Sequence, residues 1–148
     1  MRSLDSTIKR LRAEGFKLTP QRISVIKYMV GNSDHPSAGD IFNALKKKYS
    51  GLAFSTVYNT LRMLQKIGEI KAVNIAEDHM NYDPDTSPHF HLLCEECGKI
   101  VDVPAGNDLA ECFKCSEIYG HEIKSYQLNL RGTCNSCLCG SSDPEHRI

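Results

Sequence analysis

Two CxxC pairs, Cys94 with Cys97 and Cys134 with Cys137, are separated by residues 98–133. Any fold of this chain has to settle whether they meet. A CxxC turn points two thiolates at one centre, and two such turns complete a closed tetrahedral sulfur site suited to structural Zn(II). The separation exceeds that of a zinc ribbon, so the chain between the pairs must form structure that returns on itself. The alternative readings are reduced, buried cysteines or a thiol redox pair.

Four thiolates leave no place for a histidine on that ion, which frees His89 and His91 just upstream. On a strand, residues two apart face the same side, so both imidazoles can reach a second metal. Asp102 falls on the next predicted strand, and Asp83 lies shortly before. A lone strand histidine is ordinarily a satisfied polar residue, whereas HxH with nearby carboxylates has the make-up of a nitrogen and oxygen metal site. His79, His121 and His146 lack such company. Cys112 and Cys115 form a third CxxC on a predicted helix, where Cys112 shares a face with Leu109 and Phe113 and reads as core. Cys115 and Cys139 remain candidates for a thiol response or a further metal.

The chain of 148 residues has no net charge, yet its halves differ sharply. Residues 1–72 carry 13 Lys or Arg and 5 Asp or Glu, a net +8, and residues 73–148 carry the opposite −8. This pairs a basic module suited to a polyanion with an acidic module suited to cations. Apolar residues make up 41%, enough for one domain or two small ones. The N-terminus has no apolar leader pattern and no stretch suits a membrane span, which predicts a soluble cytoplasmic protein in which cysteines serve metal or redox chemistry.

The basic half reads as helices. Ile8, Leu11 and Phe16 mark the first, running out near Gly15. Thr19 and Pro20 begin a second that lasts to Gly31, and Ser37 caps a third that carries Ile41, Phe42 and Leu45. Ser55 is expected to cap a fourth, with Val57, Leu61, Leu64 and Ile67 as its apolar stripe. Thr56, Asn59, Thr60 and Met63 repeat on another face, and Gly68 stops the helix. EIKAVNI and HMNYD then alternate as two strands around a turn near Glu77 and Asp78. Helices followed by a two-stranded wing outline a winged helix-turn-helix. No acidic residue occurs from Ile41 to Gly68, so Thr56, Tyr58, Asn59, Arg62 and Lys66 can approach duplex DNA without charge repulsion. Arg22 and Ser55 complete the candidate DNA-contacting set. In the acidic half, HFHLLC and KIVDVP read as strands, Asn107 is expected to cap a helix through about Tyr119, and EIKSYQLNLRG alternates again, an order read with antiparallel neighbours. The fold class is α+β. Residues 1–84 form a winged-helix DNA-binding domain with a hinge at about 73–88, and residues 85–148 form a small α/β domain.

The ordered motifs LTPQR (18–22), HPSAGDIF (35–42), STVYNTLRML (55–64), HFHLLCEECGKIVD (89–102) and CNSC (134–137) resemble the ferric uptake regulator family of metal-dependent repressors. The resemblance spans nearly the whole chain. It implies a homodimer held by the C-terminal domain, a palindromic DNA operator, a structural zinc and a regulatory Fe(II) or Mn(II) near the hinge. The motifs map the regulatory ligands onto His35, Asp83, His89, His91 and Asp102. Asp102 resembles the peroxide-sensing branch, where iron-sensing members usually carry Glu; Pro88 and Phe90 replace residues that those members often use for a further metal. In the peroxide branch the imidazoles that become oxidised match His35 and His89, and Mn(II), harder to oxidise, gives an insensitive repressor. A metal-sensing repressor of uptake genes is the alternative within the family. An enzyme reading, as a metal hydrolase or thiol oxidoreductase, lacks a separate nucleophile and base and leaves the basic half without a role. A zinc-stapled interaction module would bind DNA regardless of His35, His89 and His91.

Overall fold

Capping hydroxyls, a proline and turn glycines punctuate the basic half into helices. The computed structural model describes residues 3–75, 79–104, 117–122 and 128–140. It divides into two compact units, Met1–Thr86 and Ser87–Ile148. In the first, α1 (Leu4–Ala13), α2 (Pro20–Met29), α3 (Ala38–Lys46) and α4 (Phe54–Lys66) precede β1 (Lys71–Val73) and β2 (Asn81–Asp83). The Thr19 hydroxyl accepts the Arg22 N–H at 3.3 Å, with Pro20 in the first turn. Ser37 and Asp40 form a full capping box: the Asp40 N–H donates to the Ser37 hydroxyl at 3.1 Å and the Ser37 N–H to the Asp40 carboxylate at 2.8 Å.

The fourth helix begins two residues earlier than expected. Its N-cap is Ala53, which makes no side-chain cap, so Ser55 lies inside the first turn and caps nothing. Thr60 and Met63, expected on a face other than that of the apolar stripe, are buried. The Thr60 hydroxyl donates to the Thr56 carbonyl at 2.6 Å, a bond one helical turn back that lets a threonine enter the core beside Leu61 and Leu64. A threonine can enter the core on this face because the Thr56 carbonyl satisfies its hydroxyl. Gly68 at φ 67° ends the helix in the left-handed region.

Around α4, Leu11, Val25, Ile26, Met29, Ile41, Val57, Leu61, Leu64, Ile70 and Tyr82 make one buried cluster. A charged tie joins α1 to the corner after α4. Glu69 is 2% exposed, pairs with the Arg10 guanidinium and accepts the Thr7 hydroxyl at 3.3 Å, while Arg10 also donates to the Ile67 carbonyl at 2.8 Å. The two wing strands pair antiparallel, with Ala72 opposite Tyr82. The wing also holds the entry to α3: the Tyr82 N–H donates to the Pro36 carbonyl at 3.1 Å, and the Asn81 carboxamide donates to the His35 carbonyl at 2.7 Å.

The second unit contains β3 (His89–Cys94), β4 (Ile100–Pro104), β5 (Glu117–Ile118), β6 (His121–Glu122), β7 (Asn129–Gly132) and a short α5 (Asn135–Leu138). The larger sheet has the order β4-β3-β7. Two expectations are corrected here. First, β3 pairs antiparallel with β4 but parallel with β7. The long segment between β4 and β7 can carry the chain to the far edge of β3, which a hairpin could not do. Second, Glu117 and Ile118 are strand rather than helix end, and they return through Tyr119 and Gly120 at φ 52° and 81°. Two consecutive left-handed residues are the two-residue turn of a twisted hairpin. Residues 107–116 of the expected helix, with Cys112 and Cys115, lie outside the described residues, as do Glu77 and Asp78 of the expected wing turn, residues 123–127 and His146.

The caps give a first test. Ser37→Ala removes the hydroxyl that accepts the Asp40 N–H, leaving the Ser37 backbone N–H on the Asp40 carboxylate, and is expected to lower stability by about 1 kcal/mol in urea titration. Ser55→Ala, which breaks no cap, should change it by less than about 0.5 kcal/mol.

Candidate metal centres and nucleic-acid interface

Strand register decides where each ligand faces. Along β3, His89 and His91 point to one side of the sheet and Phe90, Leu92 and Cys94 to the other. His91 lies opposite Asp102 on β4, so the carboxylate shares the histidine face. At the far end, Cys94 lies opposite Gly132 on β7, and the Glu95 N–H donates to the Gly132 carbonyl at 2.8 Å. That parallel pairing delivers Cys134, two residues on, to the first CxxC turn.

All four sulfurs of Cys94, Cys97, Cys134 and Cys137 lie within 4.8 Å of one another. The Cys94–Cys137 and Cys97–Cys134 sulfurs are each 3.8 Å apart. Tetrahedral zinc with bonds of about 2.3 Å requires sulfur separations of about 3.8 Å, whereas a disulfide requires about 2.0 Å. The donor set therefore fits zinc and not a pair of disulfides. Gly98 at φ 70° closes the first turn, its N–H donating to the Cys94 carbonyl at 2.9 Å.

The thiols titrate far apart. The Cys134 N–H, 3.3 Å from the Cys94 sulfur, is the main cause that lowers Cys94 to about 6, with further help from the Cys97 and Glu96 backbone. Cys137 is pushed up to about 12, first by its contact with Cys134 and then by Cys97 and burial. Cys97 also rises: the Lys99 backbone lowers it, but burial and the Cys94 and Cys134 thiols outweigh that. Four sulfurs this close cannot all be anions without a cation among them. Cys139 is exposed, with its thiol 3.4 Å from the Asn135 carboxamide oxygen.

Each unit carries nitrogen and oxygen donors. In the second unit the His89 and His91 Nε2 atoms are 2.9 Å apart, and an Asp102 carboxylate oxygen lies 3.4 and 3.7 Å from them. The His89 Nδ1 is 3.0 Å from the Ser87 carbonyl. This bond selects the tautomer that leaves Nε2 with its lone pair free for a metal. In the first unit the buried His35 Nε2 is 3.9 Å from the buried Asp83 carboxylate. His35 stands at φ 50°, left-handed and unusual for a non-glycine, with its carbonyl held by Asn81. Asp83 is oriented by the Asp85 N–H at 2.7 Å. His79 and His121 are exposed.

On α4, Ser55, Tyr58, Asn59, Arg62 and Lys66 are exposed and Thr56 is partly so. The Lys66 ammonium sits 5.5 Å above the Phe16 ring. Arg22 is half-buried and donates to the Lys17 carbonyl. Phe54, on which the sequence placed no functional weight, is also exposed at the start of this helix.

A family model described as the ferric uptake regulator family matches residues 13–131. The chain belongs to the ferric uptake regulator family. It is similar to the peroxide operon regulator of Bacillus subtilis strain 168, 34% identical over 135 residues that span 90% of this chain and 92% of that one. It is also similar to the peroxide-responsive repressor PerR of Staphylococcus epidermidis, 30% identical over 136 residues, 90% of this chain and 89% of that one. Among solved structures, the ferric uptake regulator of Helicobacter pylori shares the fold with a TM-score of 0.76 at 23% identity, covering 93% of this chain and 95% of that chain. PerR of Streptococcus pyogenes matches with a TM-score of 0.54 at 27% identity, over 93% and 94% of the two chains. No helix among the described residues is long and apolar enough to cross a membrane.

Because Cys97 and Cys137 hold their protons above neutrality, zinc must displace those protons to bind. Zinc uptake by metal-free protein at pH 7 should release them, with apparent affinity rising with pH. Calorimetry in two buffers of different ionisation enthalpy measures the release. Cys137→Ser is expected to abolish stoichiometric zinc binding.

Proposed function

We propose that this chain is a metal-dependent, DNA-binding transcriptional repressor that responds to hydrogen peroxide. The observation that carries the reading is the division of donors on one strand, where soft thiolates collect on one face and two imidazoles with a carboxylate on the other. Zinc prefers the first set, and Fe(II) or Mn(II) suits the second. The names of the Bacillus and Staphylococcus relatives support the peroxide response.

In this reading His35, Asp83, His89, His91 and Asp102 hold one regulatory ion. Residues 1–84 read DNA, residues 85–148 pair two copies, and the two-fold dimer meets a palindromic operator. Fe(II), when bound, supplies the electron that reduces peroxide and so the oxidant that adds oxygen to a ligand imidazole. The protein's part is to present those imidazoles. Ser87 holds the His89 tautomer, and Asn81 fixes the backbone of His35. Ligands drawn from both sides of the hinge at 73–88 let the ion favour one arrangement of the halves, and a modified imidazole weakens that preference. Moving such an equilibrium from almost all inactive to almost all active takes about 5.5 kcal/mol of differential affinity, within reach of a multidentate site.

Protein loaded with Zn(II) and Fe(II) should bind its operator and lose binding after peroxide, with one oxygen added to the peptide carrying His35 or His89. Mn(II)-loaded protein should keep binding. Reversible iron-dependent binding without the added oxygen would establish an iron-sensing repressor instead, in line with the similarity to the iron-containing ferric uptake regulator of Francisella tularensis, TM-score 0.68 and 29% identity over 84% of this chain and 96% of that chain.

A further inference from the structure

We propose that Phe54 is a specificity-determining residue that reads the C5-methyl group of a thymine in the major groove. The inference rests on the DNA-binding reading above and deepens it. Phe54 is the first residue of α4, and 49% of its surface is exposed. Its neighbours Ala53 and Ser55 are small and also exposed, so the ring stands out from the helix start.

The ring is held in place. It meets Phe42 edge-on, with centroids 5.8 Å apart and planes at 78°, and Phe42 packs against the buried cluster. The Lys46 ammonium lies 5.5 Å above Phe42. A large apolar group so braced, with half its surface in water, adds little to the core and is poised for an apolar contact outside it.

The surroundings name the partner. Lys46, Lys47, Lys48, Arg62 and Lys66 are all exposed in a stretch with no acidic residue from Ile41 to Gly68. Such a field attracts a polyanion and disfavours a basic protein partner. In a winged helix-turn-helix, the first turn of the recognition helix meets base edges. Thymine alone presents a methyl group in the major groove, and a phenyl ring makes the apolar contact that this methyl accepts. Cytosine carries only C5–H at that place, and its adjacent amino group finds no acceptor in the ring, so the ring selects thymine by contact on one side and unreturned desolvation on the other.

The test uses the full chain loaded with Zn(II) and Mn(II), and a duplex selected by that protein from a randomised pool. Replacing each thymine in turn by deoxyuridine should reveal one position per half-site where affinity falls about fourfold, as expected for burial of one methyl group. Phe54→Ala should weaken binding to the thymine duplex and erase the difference between thymine and uracil there, while Phe54→Leu should keep most of it. In the unaltered chain, 5-iododeoxyuridine at that position should photocrosslink to the peptide carrying Phe54. Three outcomes would overturn the assignment: no thymine methyl that matters, full discrimination in Phe54→Ala, or a crosslink elsewhere. If no duplex is selected at all, the repressor reading itself falls, and this inference with it.

Discussion

The pairing of β3 with its two neighbours is the constraint on which the chemistry of the second unit depends. A strand shows its side chains to alternate faces, so a register that puts His91 opposite Asp102 also commits Cys94 to the other side. A slip of one residue would exchange the faces and bring an imidazole toward sulfur. The parallel partner β7 fixes the other end, because Cys94 opposite Gly132 sets where Cys134 emerges. One set of backbone hydrogen bonds thus sorts soft donors from hard ones before any ion arrives.

That sorting matters because divalent metals do not choose sites by affinity alone. Zinc generally outcompetes Fe(II) and Mn(II) at a given nitrogen or oxygen site, so a sensor of the weaker-binding metals gains from a dedicated sulfur site for zinc. The sulfur cluster combines a thiol lowered to about 6 with one raised to about 12, an imbalance that a shared cation removes. His89 and His91, by contrast, bring two Nε2 atoms to within 2.9 Å of each other, an approach that two lone pairs tolerate only with a shared proton or cation between them. Each cluster has a donor geometry that a cation relieves.

Much of this was legible in the sequence because it follows from short periods. Thr19 with Pro20, and Ser37, announce helix starts through local hydrogen bonds, and both caps are present. The CxxC turns and the HxH alternation are equally local. What escaped depends on distant chain. Ser55 has the chemistry of a cap, but Ala53 takes that place, and whether a serine caps depends on where the flanking backbone leaves the helix. Thr60 looks polar until its hydroxyl is seen to bond Thr56. The parallel pairing of β7 is set by a long crossover that carries no local signature.

Phe54 shows the same limit from the opposite direction. Spaced three and seven residues before Val57 and Leu61, it falls in line with their apolar stripe, yet a helix expected to start after Ser55 left it outside. Phe42 supplies only an edge, leaving half of Phe54 in water. Exposure of a phenyl ring has a cost in solvation that Ala or Ser at the same place would avoid. A ring that is both exposed and braced, in a stretch rich in lysines and without carboxylates, is therefore available for an apolar contact outside the core, which is the ground of the DNA-contact proposal.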